Sequence, residues 1–247
     1  MAAWHPMDAQ RRVEASRRMI VGELSSPRQP GTSSAWHSYT RGERIADGAI
    51  HLLGLSAAIV ACVALALLIG ASTAIGAVAL SLYAAGLFTT LACSALYNLA
   101  RDGTAKSVLR RLDHAAIFMM IAGTYTPISI LGIGGLWGWC LVAVVWAGTL
   151  LGATLKLVLP GRFERTSIAA YLALGWAGLA ATRPLVAALP ERDIFLLALG
   201  GAFYSVGVLM HLATQLRYHN ALWHGFVLAG AASHFAVVYG LAVARMA

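Results

Sequence analysis

Charge is scarce in this chain: 11% of its 247 residues are Asp, Glu, Lys or Arg, less than half of the roughly 25% found in an average soluble domain. Cysteine is scarcer. Cys62, Cys93 and Cys140 all stand inside apolar stretches, and an odd number in such surroundings supports no disulfide framework, only small packing residues. Of the two lysines, Lys106 falls between apolar stretches and Lys156 at the end of the fourth, so neither is in the last. A retinal protein needs a lysine within its last helix for the Schiff base, so that class is excluded. Also missing are a phosphate-cradling glycine loop, a dinucleotide fingerprint and a soluble catalytic module.

What fills the chain instead is apolar. Hydrophobic residues make up 59% of it and gather into blocks of about twenty, the length that crosses a hydrocarbon core of about 30 Å. Seven blocks are legible, at 49–69, 74–96, 115–133, 137–159, 167–189, 194–212 and 221–243. The fold class expected is all-α, a bundle of seven transmembrane helices formed by residues 41–247. Arg183 and Pro184 lie near the end of the fifth block, where a snorkelling arginine and a helix terminus are tolerated. Residues 1–40 read as a polar, basic extension, with arginine pairs at Arg11/Arg12 and Arg17/Arg18 and a Pro/Ser/Gly linker over 25–34.

Short cytoplasmic connections retain Lys and Arg. With the N-terminus inside, all but Arg183, Arg192 and Arg245 of the 18 basic residues fall on the cytoplasmic side. The N-terminus is therefore expected in the cytoplasm and the C-terminus outside, in the cell's inner (plasma) membrane, which also argues against a G-protein-coupled receptor. The net charge of +8 is spread over segments flanking the apolar blocks. Membrane lipids with anionic headgroups are the expected partners, and nucleic acid is not.

Polar residues inside spans are costly and mark sites or paired interior positions. Ser94 and Asn98, four apart near the end of the second block, share a helix face, and so do Asn220 and His224 at the start of the seventh. Asp113 follows a basic connection and is expected to open the third helix, where the helix dipole and a pairing with Arg110 or Arg111 would stabilise it. All five lie at the cytoplasmic depth. From the residues alone, a functional site and a set of ordinary helix-end caps both remain open. His51 reads as a helix-end histidine paired with Asp47, and His211 and His234 as interhelical hydrogen-bonding groups. Pro127 is expected to kink the third helix, with neighbouring threonines satisfying the freed carbonyl. Trp137, Trp139 and Trp223 read as interfacial anchors.

The stretch from Leu109 through Arg110, Arg111, Leu112, Asp113, His114 and on to Gly123, Thr124, Tyr125, Thr126 and Pro127 closely resembles the hemolysin III family, the bacterial branch of the progestin and adiponectin receptor (PAQR) proteins. The segments around Gly42 to His51, Cys93 to Tyr97 and Leu222 to Phe235 carry the resemblance further, so that it spans about 41–243. It implies a seven-helix bundle with an inside N-terminus and a zinc site at the cytoplasmic side. In the family three histidines ligate the ion, while an Asp and a Ser hold the zinc-bound water, and related members look like lipid amide hydrolases of the ceramidase type.

Carried over by position, Ser94, Asp113 and His224 match the family pattern, while Asn98 and Asn220 stand where two histidine ligands are expected. A neutral carboxamide is a poor zinc donor beside an imidazole bonding at about 2.0–2.1 Å. His219 cannot stand in on a regular helix, being about 140° around from His224, and His114 lies about 100° around from Asp113. The resemblance thus implies His224 as metal ligand, Asp113 as general base or water-orienter and Ser94 as the group steadying the water, around a depleted zinc site. The function expected is a lipid-directed role in membrane homeostasis, with metal-dependent lipid amide hydrolysis as the enzymatic form it would take. The alternative, raised by the family name, is a pore-forming or membrane-perturbing protein.

Overall fold

The computed structural model describes residues 39–159 and 161–246; the N-terminal extension lies outside them apart from Tyr39 and Thr40. Helix α1 runs over Arg41–Ile69, α2 over Ala74–Leu99 and α3 over Thr104–Pro127, continued by a π-helical turn at Ile128–Ile133. There follow α4 (Gly135–Val158), α5 (Glu164–Gly175), a 3-10 turn (Ala177–Ala181), α6 (Thr182–Ala188), α7 (Glu191–Leu212) and α8 (His219–Ala244). No strand occurs among the described residues.

Six of these helical segments are long and apolar enough to cross a membrane: α1, α2, α3 with its π turn, α4, α7 and α8. Their outward faces carry Leu52, Val60, Leu67 and Leu136, each more than two-thirds exposed, an apolar surface suited to lipid rather than water. The chain is a multi-pass membrane protein. The stretch read from sequence as one helix over 167–189 is not among those six, and that expectation needs correcting, because the stretch is broken into α5, the 3-10 turn and α6. Trp176 leaves helical geometry at the end of α5, and the Tyr125 hydroxyl of α3 occupies the break, donating to the Gly175 carbonyl at 2.7 Å and accepting from the Gly178 amide at 2.8 Å. A side chain from a neighbouring helix thus satisfies backbone groups that would otherwise be orphaned in a non-aqueous interior. The Trp176 indole is fixed in turn by Ser205 of α7 at 3.1 Å.

Helix α1 starts eight residues before its apolar block because Thr40 and Glu43 form a capping box: the Thr40 hydroxyl accepts from the Glu43 amide, and the Glu43 carboxylate accepts from the Thr40 amide at 2.8 Å. The second carboxylate oxygen of Glu43 accepts from the Tyr218 amide at 3.1 Å, which ties the start of α1 to the start of α8. The main core gathers Leu65, Leu80, Tyr83, Val237 and Val238, all without solvent exposure, from α1, α2 and α8.

Helices α2 and α3 approach most closely at two glycines. A β-carbon on Gly86 would stand 2.9 Å from the Met119 carbonyl oxygen, and one on Gly123 would stand 2.9 Å from that of Leu82. Pro127 does not end α3 in a simple kink; the ladder loosens into the π turn. The hydroxyls of Thr124 and Thr126 bond to Met120 and Ala122, at 2.8 and 2.7 Å, not to the Gly123 carbonyl that a proline at 127 deprives of its usual donor. Trp137 and Trp139 are about half exposed, as anchors should be. Trp223 instead turns inward, its ring tilted against that of His211 with centroids 5.2 Å apart and covering Gly207. All three cysteines are free.

Because backbone cannot yield as a flexible side chain can, Gly123→Ala is expected to destabilise the bundle by about 1–3 kcal/mol. Gly70→Ala, with nothing within 4 Å and an ordinary right-handed backbone, should be neutral. Thermal unfolding of the two variants in detergent checks the contrast.

Candidate functional site

Glu43, Asp47 and His51 follow one another at intervals of four and therefore share a face of α1. That face turns inward: Glu43 and His51 are 4% and 5% exposed, and the Asp47 side chain is 14% exposed. A carboxylate so placed needs donors, and they come from α8. The His224 Nδ1 lies 2.7 Å from Asp47 Oδ1, and Asn220 Nδ2 donates to Asp47 Oδ2 at 3.1 Å.

The same Asn220 Nδ2 donates to Asn98 Oδ1 at 3.3 Å, Asn98 Nδ2 donates to the Ser94 carbonyl at 2.9 Å, and Ser94 Oγ lies 3.4 Å from His224 Nε2. The contacts close a ring through Ser94, Asn98, Asn220, Asp47 and His224, on α1, α2 and α8. Every orientation in it is forced. A carboxylate only accepts, so His224 carries its proton on Nδ1 and Asn220 must present its amide nitrogen; the Ser94 carbonyl only accepts, so Asn98 must do likewise. His224 Nε2 is left with a lone pair facing Ser94.

The structure therefore brings together all five residues expected from sequence and adds Asp47 and His51. The expected His51–Asp47 pairing is present at 3.5 Å, yet it belongs to the cluster instead of a helix end, and the His51 ring also packs on the His224 ring with centroids 4.2 Å apart. Asp113 needs correction. Helix α3 begins at Thr104, so Asp113 sits more than two turns inside it, beyond the reach of the helix-end dipole. No ion pair joins it to Arg110 or Arg111 among the described residues, and it lines the cavity together with Ser94 and His224. Arg110 instead reaches Glu164 at 3.3 Å, together with Lys156 at 3.1 Å and His114 at 3.7 Å. Burial raises the Glu164 carboxyl, but the Lys156 hydrogen bond and the nearby positive groups outweigh it and hold it below the usual range. His219 opens α8 and contacts the Tyr39 hydroxyl at 3.2 Å. His234 contacts the Leu197 carbonyl of α7 at 3.2 Å, the interhelical role expected of it.

Ser94, Asp113, His51 and His224 form one polar end of a mainly apolar cavity of about 150 Å³, walled by Leu91, Ile117, Met120, Val208, Val227 and Leu228, with Thr124, Tyr204, Ser205 and His234 also in its lining. This volume is roughly ten times the 10–15 Å³ that holds one water.

The class defined so far is a multi-pass helical membrane protein with a polar ring at one end of a buried apolar cavity. The family model described as Haemolysin-III related matches residues 41–235. The chain is 33% identical over 198 residues to the "Hemolysin-3 homolog" of Bacillus subtilis (strain 168), a match covering 80% of this chain and 93% of that protein. It is 35% identical over 196 residues to "Hemolysin-3" of Bacillus cereus, covering 78% and 89%. The chain belongs to the hemolysin III family.

The zinc ion that the family resemblance implies finds a poor fit at the inherited positions. Asn98 spends its oxygen and its amide nitrogen within the ring, and Asn220 spends its amide nitrogen there. Asp47, His51 and His224 do form a possible metal-binding group, their donor atoms lying within 4.8 Å of one another. As they stand, Asp47 and His224 are joined directly at 2.7 Å, whereas two ligands on a tetrahedral zinc at about 2.0–2.1 Å would lie about 3.3 Å apart.

Removing Asn220 leaves an Asp47 oxygen and Asn98 Oδ1 without their donor. Asn220→Ala should cost about 1.5–3 kcal/mol, the range for hydrogen bonds to charged groups. Asn98→Ala, which removes neutral bonds, should cost about 0.5–1.5 kcal/mol. Denaturation of both variants in detergent gives the order, and equal costs would contradict it.

Proposed function

We propose that this chain is a lipid-binding membrane protein acting in membrane homeostasis, its cavity taking an acyl chain and its polar ring meeting the lipid's headgroup or carbonyl. The observation that carries this reading is the join between the apolar cavity and the Ser94, Asp113 and His224 end, which matches an amphiphile's two parts in one pocket. Walls so apolar shelter an apolar guest better than ordered water. The basic residues Arg110, Arg111, Lys156 and Arg217 flank this end of the bundle, which supports a site facing the cytoplasm with the N-terminus on the same side. The plasma membrane is the natural location for such a chain.

Lipid extracted with the purified protein and identified by mass spectrometry tests the reading. Val208→Trp, which fills the cavity from α7, should reduce the retained lipid several-fold. Dye release from vesicles by the purified protein, without retained lipid, would favour the membrane-perturbing alternative that the name of the Bacillus cereus relative raises.

Zinc at this site belongs to the same proposal in a weakened form. The purified chain should carry zinc well below stoichiometric amounts, and Asn98→His with Asn220→His should raise it, because imidazoles then stand at the inherited positions. Elemental analysis decides, and a fully zinc-loaded wild-type protein would overturn the expectation.

A further inference from the structure

The ring contains a line of groups whose chemistry needs no metal. Asp47 Oδ1 holds His224 Nδ1 at 2.7 Å, and His224 Nε2, thereby left as the acceptor, faces Ser94 Oγ at 3.4 Å. A carboxylate orienting an imidazole whose other nitrogen faces a hydroxyl is the arrangement of an activated serine, recognised by geometry and not by chain order, and its bonds are commonly looser before substrate binds. Ser94 and His224 both line the apolar cavity. The His51 ring lies in the same wall, packs on the His224 ring with centroids 4.2 Å apart and keeps its Nε2 3.5 Å from Asp47 Oδ2.

We infer that Ser94, His224 and Asp47 form a metal-independent acyl-transfer centre for lipid esters or amides, with Ser94 as nucleophile, His224 as general base and Asp47 as positioning residue. The inference rests on the lipid-binding reading, which supplies the acyl pocket. In the first step Ser94 Oγ bonds to the acyl carbon while its proton passes to His224 Nε2, and the carbonyl π electrons move onto the oxygen. The bond from carbon to the alcohol oxygen or amine nitrogen then breaks, and His224 returns the proton to that leaving group. Water next attacks the acyl-serine, giving its proton to His224, and the Ser94–acyl bond breaks to release a carboxylic acid as Ser94 recovers the proton. Asp113 lines the same cavity as Ser94, and attack requires the single Ser94 hydroxyl proton to point toward His224 Nε2.

The test uses the full chain in detergent with a chelator present, a short reagent (phenylmethanesulfonyl fluoride) and a long one (hexadecanesulfonyl fluoride), and peptide mapping of the sulfonylated residue. Both reagents should label Ser94, the long one faster. His224→Ala should slow labelling on the order of 100-fold or more, the scale of general-base assistance. Asp47→Asn should lower the maximal labelling rate while leaving the reagent concentration for half-maximal rate unchanged, a split that a merely structural role would not give. Retained lipid with no labelling of wild-type Ser94 by either reagent overturns the acyl-transfer centre but leaves lipid binding intact. Labelling of Ser94 by the short reagent alone, with no retained lipid, sinks the lipid reading and the lipid substrate with it. Labelling that is equally fast in His224→Ala, or that requires added zinc, overturns the mechanism.

Discussion

A carboxylate taken out of water costs several kcal/mol unless opposite charges or hydrogen-bond donors meet it, and Asp47 imposes that requirement on three helices at once. Its oxygens are met by His224 and Asn220 of α8, and Asn220 is in turn braced by Asn98 of α2. The registers of α1, α2 and α8 are fixed to one another at this end by polar contacts with only one workable orientation, while farther along the same helices Leu65, Leu80 and Val237 do so by apolar packing. The capping box at Thr40 and Glu43 serves the same end. By starting α1 early it adds the turn that carries Asp47, and by receiving the Tyr218 amide it sets where α8 begins.

The cavity depends on the opposite device, helices held where they do not fill space. Glycines 86 and 123 draw α2 and α3 into backbone contact, and the Tyr125 hydroxyl props open the break between α5 and the 3-10 turn. A continuous fifth helix would need no such prop. With it, Trp176 swings across to Ser205 and becomes part of the cavity wall. The break is thus a structural element that shapes the pocket beside the polar ring, not a local defect.

The bundle was legible because block length is a physical consequence of bilayer thickness, and no side-chain detail is needed to see it. The two pairs at spacing four, Ser94 with Asn98 and Asn220 with His224, were legible for the same geometric reason. Asp47 was visible only as a local partner of His51, because the apolar block was read from residue 49, and a residue ahead of it looked like a helix end. The spacing of Glu43, Asp47 and His51 held the missing signal: three ionisable residues on one face make sense only if that face is covered. Asp113 was misread through the position of the α3 start, since the helix absorbs the basic connection as far back as Thr104. The break after α5 had no local signal of this kind. It depends on Tyr125, a residue about 50 positions earlier, and a long-range contact of that sort leaves no periodicity to read.

Carboxamides at 98 and 220 are more than a loss of ligands. An imidazole at either position offers one donor and one acceptor on a rigid ring, and a zinc ion would take the acceptor. A carboxamide offers an acceptor and two donors within a few ångströms, which is what a chain linking a backbone carbonyl, a second amide and a carboxylate requires. The substitution and the placement of Asp47 are therefore one change in physical terms. With Asn220 supplying its second donor, Asp47 is free to hold His224 in the tautomer that turns a lone pair toward Ser94. A metal bound at that lone pair and a proton received there are mutually exclusive uses of one nitrogen, and every other contact in the ring favours the proton.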